Sequence, residues 1–274
     1  MDAQTTNISS RSRRQTRLAI VRANGPFFCS VAAASLLEAL APAYAERVLH
    51  FFRGDQTLCD WIRNEWVPRK AARAKALRDY IETTWPEFDW CASQEQYRSA
   101  IEQHGGPGHH RVTAAHEALA RCVAAAQAAL FYRALARWAD DVVLRDLAGA
   151  MAQEEALSFA SFRAAFERRA RVESVGFVAA WCTALRCVRS ARDTDVRLAF
   201  EAVVAQSGAN TPFPAIDYIE FAARMKSVIE RHARPGLPER VLFWAWGRVP
   251  HAAAVRVKQP LLASGFKPVL AKAA

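Results

Sequence analysis

The amino-acid sequence predicts an all-α protein, and three observations carry this prediction. Apolar residues recur with helical spacing through most of the 274 residues. Alanine, which loses no side-chain entropy in a helix, is abundant, whereas only 11 residues are glycine. No stretch shows the apolar–polar alternation between turns that is typical of strands. We therefore expect one large helical domain over residues 26–274, preceded by a mobile basic tail over residues 1–25.

Breaks in the helical pattern divide the first half of the chain. A first helix is expected to be interrupted or kinked near Pro42 and to end before Gly54-Asp55. In a second helix Pro68 is expected to be a kink or a local restart. Pro86 stops that second helix, and the sequence HGGPGHH at 104–110 is a loop. The predicted helices cover residues 29–52, 56–84 and 94–103.

Capping residues divide the second half. Thr113 is a suitable N-cap for a long helix, and Asp140 or Asp141 for its successor. Gly176 separates the next helix, Asp193 caps another, and Pro214 suits the first turn of a further one. The predicted helices cover residues 113–139, 141–172, 177–191, 193–207, 214–234 and 238–246.

The composition limits where the protein acts. The hydrophobic share of 52% and the eight tryptophans supply a sizeable core. The six cysteines are scattered without a CxxC pair, which favours reduced, mostly buried thiols in a cytoplasmic protein and disfavours a zinc site. The most apolar stretch, residues 27–52, contains Glu38, Glu46 and Arg47, so we expect no membrane span.

The net charge of +10 favours anionic partners. A second basic stretch extends over 69–78, and arginines of the tail form a first cluster: Arg11, Arg13, Arg14, Arg17 and Arg22. A basic helical module that binds nucleic acid or another anionic surface is therefore one functional alternative, although no reader motif accompanies it.

Residues 127–166 carry the most informative pattern, two helices joined by a tight acidic turn. The pattern consists of Gln127-Ala128, Tyr132, Leu135-Ala136, Asp141, Leu144-Arg145, Leu147, Ala152, Glu154-Glu155, Phe159 and Phe162. This run resembles ferritin-like proteins, in particular rubrerythrin-like and acyl-carrier-protein desaturase-like members. The resemblance implies a ferritin-like helical bundle with additional N- and C-terminal helices, and its characteristic hairpin at about 113–172.

The resemblance also implies metal ligands, and the chain departs from them. In di-iron bundles two helices each supply a Glu and two others supply Glu-x-x-His. Glu155 matches the Glu of that motif, but Ser158 stands where His is expected. The upstream Glu should fall near Ala125, which cannot bind a metal.

Other carboxylates offer a different ligand set. Glu117, Glu155, Glu201 and Glu230 lie on separate predicted helices and are the candidate ligands for iron or manganese. The first functional alternative is thus a metal-dependent oxidoreductase with a small-molecule substrate, for which no catalytic residue is assigned. The second is a ferritin-like bundle that has lost its metal and serves as a binding or scaffold protein. Homodimerisation stays open in both.

Overall fold

The computed structural model describes residues 19–104, 113–207 and 213–232, without the side chains of 188–193. Within these residues the regular structure is helical and contains no strand, so the all-α prediction is confirmed. The predicted helix at 238–246 lies outside the described residues. Nine α-helices occur in the described part: α1 Gly25–Phe52, α2 Gln56–Trp61, α3 Val67–Thr84, α4 Trp90–Gln103, α5 Ala114–Trp138, α6 Val142–Val172, α7 Phe177–Asp193, α8 Asp195–Gln206 and α9 Tyr218–His232.

The first helix is longer than its sequence predicts. It begins at Gly25, where the Asn24 side chain accepts a hydrogen bond from the Phe27 amide, and it continues through Pro42 to Phe52. The interruption expected at Pro42 is therefore wrong. A proline inside a helix removes the donor to the carbonyl four residues earlier, here that of Glu38.

The second predicted helix is three elements. α2 ends at Trp61, and a π-helical segment, Ile62–Trp66, joins it to α3. Pro68 lies in the first turn of α3, where a missing amide donor is tolerated. The extra residue per turn in the π segment lets the chain pass from α2 into α3 without a loop.

The caps of the central hairpin are as predicted, and two later ones are not. Thr113 caps α5 by accepting a hydrogen bond from the His116 amide, and Asp141 caps α6. Asp193, however, is the last residue of α7, and α8 starts after Thr194. Pro214 precedes α9, whose first turn is capped by Asp217 through the Glu220 amide.

Ring contacts define the directions of α3 and α5 relative to α1, three of the four long helices α1, α3, α5 and α6. Trp85, directly after α3, packs on Phe28 near the start of α1, with ring centroids 5.1 Å apart. Trp138, the last residue of α5, packs 5.0 Å from Phe27. Both α3 and α5 therefore run antiparallel to α1.

Helix α6 completes the arrangement as the antiparallel partner of α5, and the α5–α6 pair has the most extensive contact in the fold. The Ala115 amide at the start of α5 bonds the Glu173 side chain just after the end of α6. The order of directions along the chain is thus up (α1), down (α3), down (α5), up (α6). The segment containing α4 crosses from one end of the bundle to the other between the two hairpins.

The apolar interior forms two main clusters. One surrounds the start of α1, the end of α3 and the α5–α6 turn, and includes Leu36, Leu77 and Met151. The other surrounds the end of α1, the π segment and the second half of α6, and includes Trp66 and Phe162. Helices α7, α8 and α9 pack on the outside of this four-helix body.

The chain before α1 is part of the folded body from residue 19 onward, which corrects the predicted extent of the tail. Val21 is buried, and the Arg22 guanidinium pairs with Glu87 at 2.9 Å. Residues 1–18 lie outside the described residues.

Helix α1 is long and apolar enough to cross a membrane. Of its most apolar stretch of 18 residues, 72% is buried in the fold. Core helices of bundles and membrane spans share that length and composition. Its buried side packs against α3 and α8.

Phe162 should be a main determinant of stability. Its ring lies 5.4 Å from Trp61 and 5.9 Å from Trp66, both edge-on, and so joins α6 to the α2–α3 connection. We expect Phe162→Ala to lower the free energy of unfolding by about 3–5 kcal/mol in urea titrations. Val178→Ala, at an exposed aliphatic position on α7, is the control and should change it by no more than about 0.5 kcal/mol. Equal effects of the two variants would contradict this packing.

Candidate functional site

Five polar side chains meet at the centre of the bundle, and every one of the four long helices contributes. We call Glu38, Lys70, Arg73, Tyr132 and Glu155 the central charge cluster. Four of the five are buried, and Lys70 is nearly so, with a side-chain exposure of 14%. The cluster lies where the two apolar clusters meet, because along α3 and α6 its residues stand between members of one and members of the other.

Helical spacing explains how α3 supplies two cations to one point. Lys70 and Arg73 are three residues apart and therefore share a face of the helix. The same face continues to Leu77, which is fully buried. Glu38 on α1 lies between the buried residues Leu36 and Leu40 along a largely apolar helix.

Lys70 bridges the two buried carboxylates. Its Nζ donates to Oε1 of Glu155 at 2.6 Å and lies 3.0 Å from Oε2 of Glu38. The ammonium also lies 6.0 Å from the centre of the Trp66 ring. This one cation thus links a side chain of α1 to a side chain of α6.

Arg73 binds the same carboxylates from the next turn of α3. Its Nη1 donates to Oε1 of Glu155 and lies 3.8 Å from Oε2 of Glu38. Its Nε donates to Glu154 at 2.6 Å, at the partly exposed edge of the cluster. The guanidinium therefore spans from the buried centre to the surface of α6.

Tyr132 connects α5 to the cluster. Its hydroxyl donates to Oε1 of Glu38 at 2.6 Å. Glu38 thus has partners from α3 and α5, and the two buried negative charges of Glu38 and Glu155 are balanced by the positive charges of Lys70 and Arg73.

The electrostatics of the cluster favour the charged, protonated form of Lys70 and the neutral, protonated form of Tyr132. Burial lowers the pKa of the Lys70 ammonium, but the charges of Glu155 and Glu38 raise it by more, so the pKa lies above its usual value. Burial, followed by the negative charge of Glu38, raises the pKa of the Tyr132 hydroxyl well above its ordinary value. Lys70 therefore stays charged and Tyr132 stays protonated through the physiological range.

The four predicted metal ligands are not brought together. Glu155 is in the central charge cluster. Glu117 is buried in the first turn of α5, with Arg121 Nε 2.7 Å from its Oε1. It lies fifteen residues before Tyr132 in the same helix, which is about 22 Å along the axis.

The other two predicted ligands are on the surface. Glu201 of α8 and Glu230 of α9 are exposed and lie 3.5 and 3.9 Å from basic residues of their own helices. Across residues 19–104, 113–207 and 213–232, no group of three or more His, Cys, Asp or Glu side chains is arranged to hold a metal ion. Ser158 donates to the Glu154 carbonyl of its own helix.

The sequence reasoning missed Glu38, Lys70 and Arg73 as members of a site. One signal was available: Glu38 is an isolated carboxylate in the apolar stretch 27–42, and a buried charge requires a partner. Lys70 and Arg73 gave no such signal, because alternating Ala and basic residues on α3 are equally typical of an exposed helix face.

The basic stretch at 69–78 is paired throughout. Lys70 and Arg73 are in the cluster, while Arg69, Lys75 and Arg78 pair with acidic side chains of the same helix region at 2.5–2.7 Å. The tail arginines up to Arg17 lie outside the described residues. No two of the cysteines form a disulfide in the described residues, and of the six, Cys91 and Cys182 are exposed.

Comparison with known proteins gives no relative: no protein-family model, no curated protein and no solved structure matches the chain.

Removing one cation from the central charge cluster should lower the free energy of unfolding more than replacing all five residues of the cluster by apolar ones. We expect Arg73→Met alone to lower the free energy of unfolding by about 3–5 kcal/mol, because two buried carboxylates then share one cation. Replacing the whole cluster by apolar residues of similar size (Glu38→Leu, Lys70→Met, Arg73→Met, Tyr132→Phe and Glu155→Leu together) should cost far less or nothing.

Urea titrations of the two variants make that comparison. Lys75→Met, which removes an exposed pair on the same helix, is the control and should change stability little. An apolar variant that is less stable than Arg73→Met would contradict the account.

The cluster also predicts an alkaline limit to stability. The folded-state pKa values of Lys70 and Tyr132 are raised, so in the unfolded chain both lose their protons at lower pH than in the folded protein. Their contribution is complete below about pH 10 and is lost as the pH rises further. Unfolding free energies measured between pH 8 and 11 should stay level up to about pH 10 and fall above it, less steeply in Tyr132→Phe. An unchanged slope in that variant would exclude a role for Tyr132.

Proposed function

We propose that this chain is a ferritin-like helical bundle in which side-chain cations stand where related bundles hold metal ions, and that it acts as a binding or scaffold protein. The observation that carries the proposal is the engagement of both buried carboxylates, Glu38 and Glu155, by Lys70 and Arg73.

The helix order supports the ferritin-like assignment. An up–down–down–up bundle with a single long crossover between two hairpins is the arrangement of ferritin-like folds. Here the crossover contains α4, and the hairpins are α1–α3 and α5–α6. The remaining helices, α7 to α9, are additions after the four-helix body.

The positions of the cluster residues support the assignment further. In di-iron bundles, two helices each supply one Glu and two supply Glu-x-x-His. On α1 the single residue is Glu38, and on α5 the residue at the same level is Tyr132. The paired positions three residues apart are Lys70 and Arg73 on α3, and Glu155 and Ser158 on α6.

The chemistry of this set favours a binding or scaffold role over metal-dependent redox chemistry. The resemblance leads us to expect two carboxylate–imidazole pairs, and this chain offers one pair of cations and one carboxylate with a hydroxyl. A metal ion at this position would meet two positive side chains, and Glu38 and Glu155 would have to exchange good ion-pair partners for it.

The oxidoreductase is the competing proposal. It requires iron or manganese to bind through carboxylates such as Glu117, Glu155, Glu201 and Glu230, which are spread over four helices. A nucleic-acid-binding role is less favoured by the described residues, because the basic side chains of α3 are neutralised within the fold.

Metal content distinguishes the two proposals. The untagged protein, expressed with added iron and manganese, should contain less than about a tenth of an equivalent of any transition metal by elemental mass spectrometry. Stoichiometric iron that is lost in Glu155→Ala and kept in Glu95→Ala, an exposed carboxylate on α4 outside the predicted ligand set, would overturn the proposal in favour of the oxidoreductase.

A grafted variant serves as the positive control for the ferritin-like assignment. Lys70→Glu, Arg73→His, Tyr132→Glu and Ser158→His together install a single Glu on α1 and on α5, and Glu-x-x-His on α3 and on α6. If the helices are arranged as proposed, this variant should bind close to two equivalents of iron and unfold on chelation. A folded variant that binds no metal would contradict the ferritin-like geometry.

A further inference from the structure

We propose that the outer face of α6 is the interface of a two-fold symmetric homodimer, in which the α6 helices of two copies pack antiparallel about Leu157. This inference rests on the surface of α6 and is independent of the proposed function. We call the exposed positions on this side of the helix the α6 outer face.

The α6 outer face is one continuous strip. Apart from the adjacent pairs 142–143 and 171–172 at its ends, its members recur three or four residues apart, so at 100° per residue they fall within about 60° on either side of Leu157. They are Val142, Val143, Asp146, Ala150, Gln153, Leu157, Ala160, Ala164, Arg168, Arg171 and Val172, and all are exposed. The opposite side of the same helix carries Glu155 and Phe162 into the interior.

The composition of the strip is unlike that of a solvated helix face. Between Asp146 and Arg168 the one charged side chain is Glu154, at the edge of the strip, which is 37% exposed and paired with Arg73, although 23% of the chain is charged. Leu157, in the middle, is 57% exposed. Of the seven large hydrophobic side chains that are exposed in the described residues, four lie on α6, all of them on this face: Val142, Val143, Leu157 and Val172.

The pattern is self-complementary about Leu157. When two identical helices pack antiparallel around a two-fold axis, a residue on one lies opposite the residue equally far on the other side of the axis in its partner. Val142 and Val172 are each fifteen residues from Leu157, and Ala150 and Ala164 are each seven residues from it. Alanine thus meets alanine near the centre. At the ends Val143 lies on the same edge of the strip as Val172 of the second copy, and Val142 on the same edge as the aliphatic stem of Arg171.

Charge complementarity selects a second copy as the occupant. Asp146 and Arg168 are each eleven residues from Leu157, so each copy places its carboxylate opposite the guanidinium of the other. Arg168 already contacts Asp55 at 2.6 Å and its side chain remains 53% exposed, which leaves donors for a second carboxylate. The small side chains at 150, 160 and 164 allow the helix axes to approach closely.

The size of the α6 outer face sets the expected affinity of the dimer. Eleven exposed residues per copy are fewer than the roughly 20–30 residues per side of a standard stable interface. The dimer should therefore be reversible, with dissociation in the micromolar range.

Sedimentation equilibrium of the full chain at concentrations from about 1 to 100 μM tests the proposal. We expect a concentration-dependent mass that approaches twice the chain mass of 30.4 kDa. Leu157→Asp places two like charges on the two-fold axis and should raise the dissociation constant at least about a hundredfold. The matched control is Val178→Asp, at an aliphatic position of α7 that is 72% exposed, which should leave it unchanged.

Cysteine cross-linking tests the register in a Cys91→Ser/Cys182→Ser background. Under mild oxidation Leu157→Cys should form a covalent dimer by itself. Ala150→Cys and Ala164→Cys should form one when mixed, and much less when either is oxidised alone. Ala71→Cys, exposed on α3, is the negative control.

Three results would overturn the proposal. The first is a monomer throughout the concentration range, which would also be the outcome if residues of the same chain outside the described part cover the face. The second is a dimer that Leu157→Asp leaves intact, and the third is cross-linking of each alanine variant alone with no gain on mixing.

Discussion

The fold depends on one electrostatic constraint: two carboxylates buried in the centre of a four-helix bundle must each have a cation. Glu38 and Glu155 come from helices far apart in sequence, and a buried carboxylate without a partner costs more free energy than a single apolar contact returns. Lys70 and Arg73 of α3 satisfy both at once. The need to pair both carboxylates fixes the rotation of α1, α3 and α6 about their axes. A helix turned by one residue would place its charged side chain against an apolar neighbour. The apolar clusters on either side, in contrast, would tolerate several ways of packing.

The same constraint explains why the bundle can be long and still specific. Alanine-rich helices present similar surfaces at every turn, so apolar burial alone distinguishes poorly between one register and the next. A charge cluster halfway along the bundle permits a single register, and Tyr132 extends it to α5 through its bond to Glu38. We regard this as a specificity role, in which the cluster adds little net stability relative to an apolar core.

Much of the fold was predictable from local chemistry, and the site was not. The α5–α6 hairpin followed from Thr113, Asp141 and the helical spacing, because caps act within a few residues. The continuous α1 and the π segment before α3 were not predicted, because in both places tertiary burial outweighs the local preference against proline and against irregular turns. Glu155 was singled out by a family pattern, but its partners could not be, because an ion pair between Lys70 and Glu155 depends on which helices are neighbours.

Helix α6 has two faces with different roles in this account. Its inner face supplies Glu155 to the charge cluster, and its outer face supplies the alternation of valine, alanine and leucine that suits a second copy. The outer face was visible in the sequence only as an amphipathic helix, since an exposed Leu157 cannot be told from a buried one before the neighbours are known.

The crystal structure of the protein soaked with ferrous iron, with anomalous data collected at the iron edge, tests the central claim most directly. The account predicts the Lys70 and Arg73 side chains in density between Glu38 and Glu155, and no anomalous peak between these carboxylates. An iron peak within ligand distance of Glu38 or Glu155, with the two basic side chains turned away, would contradict it.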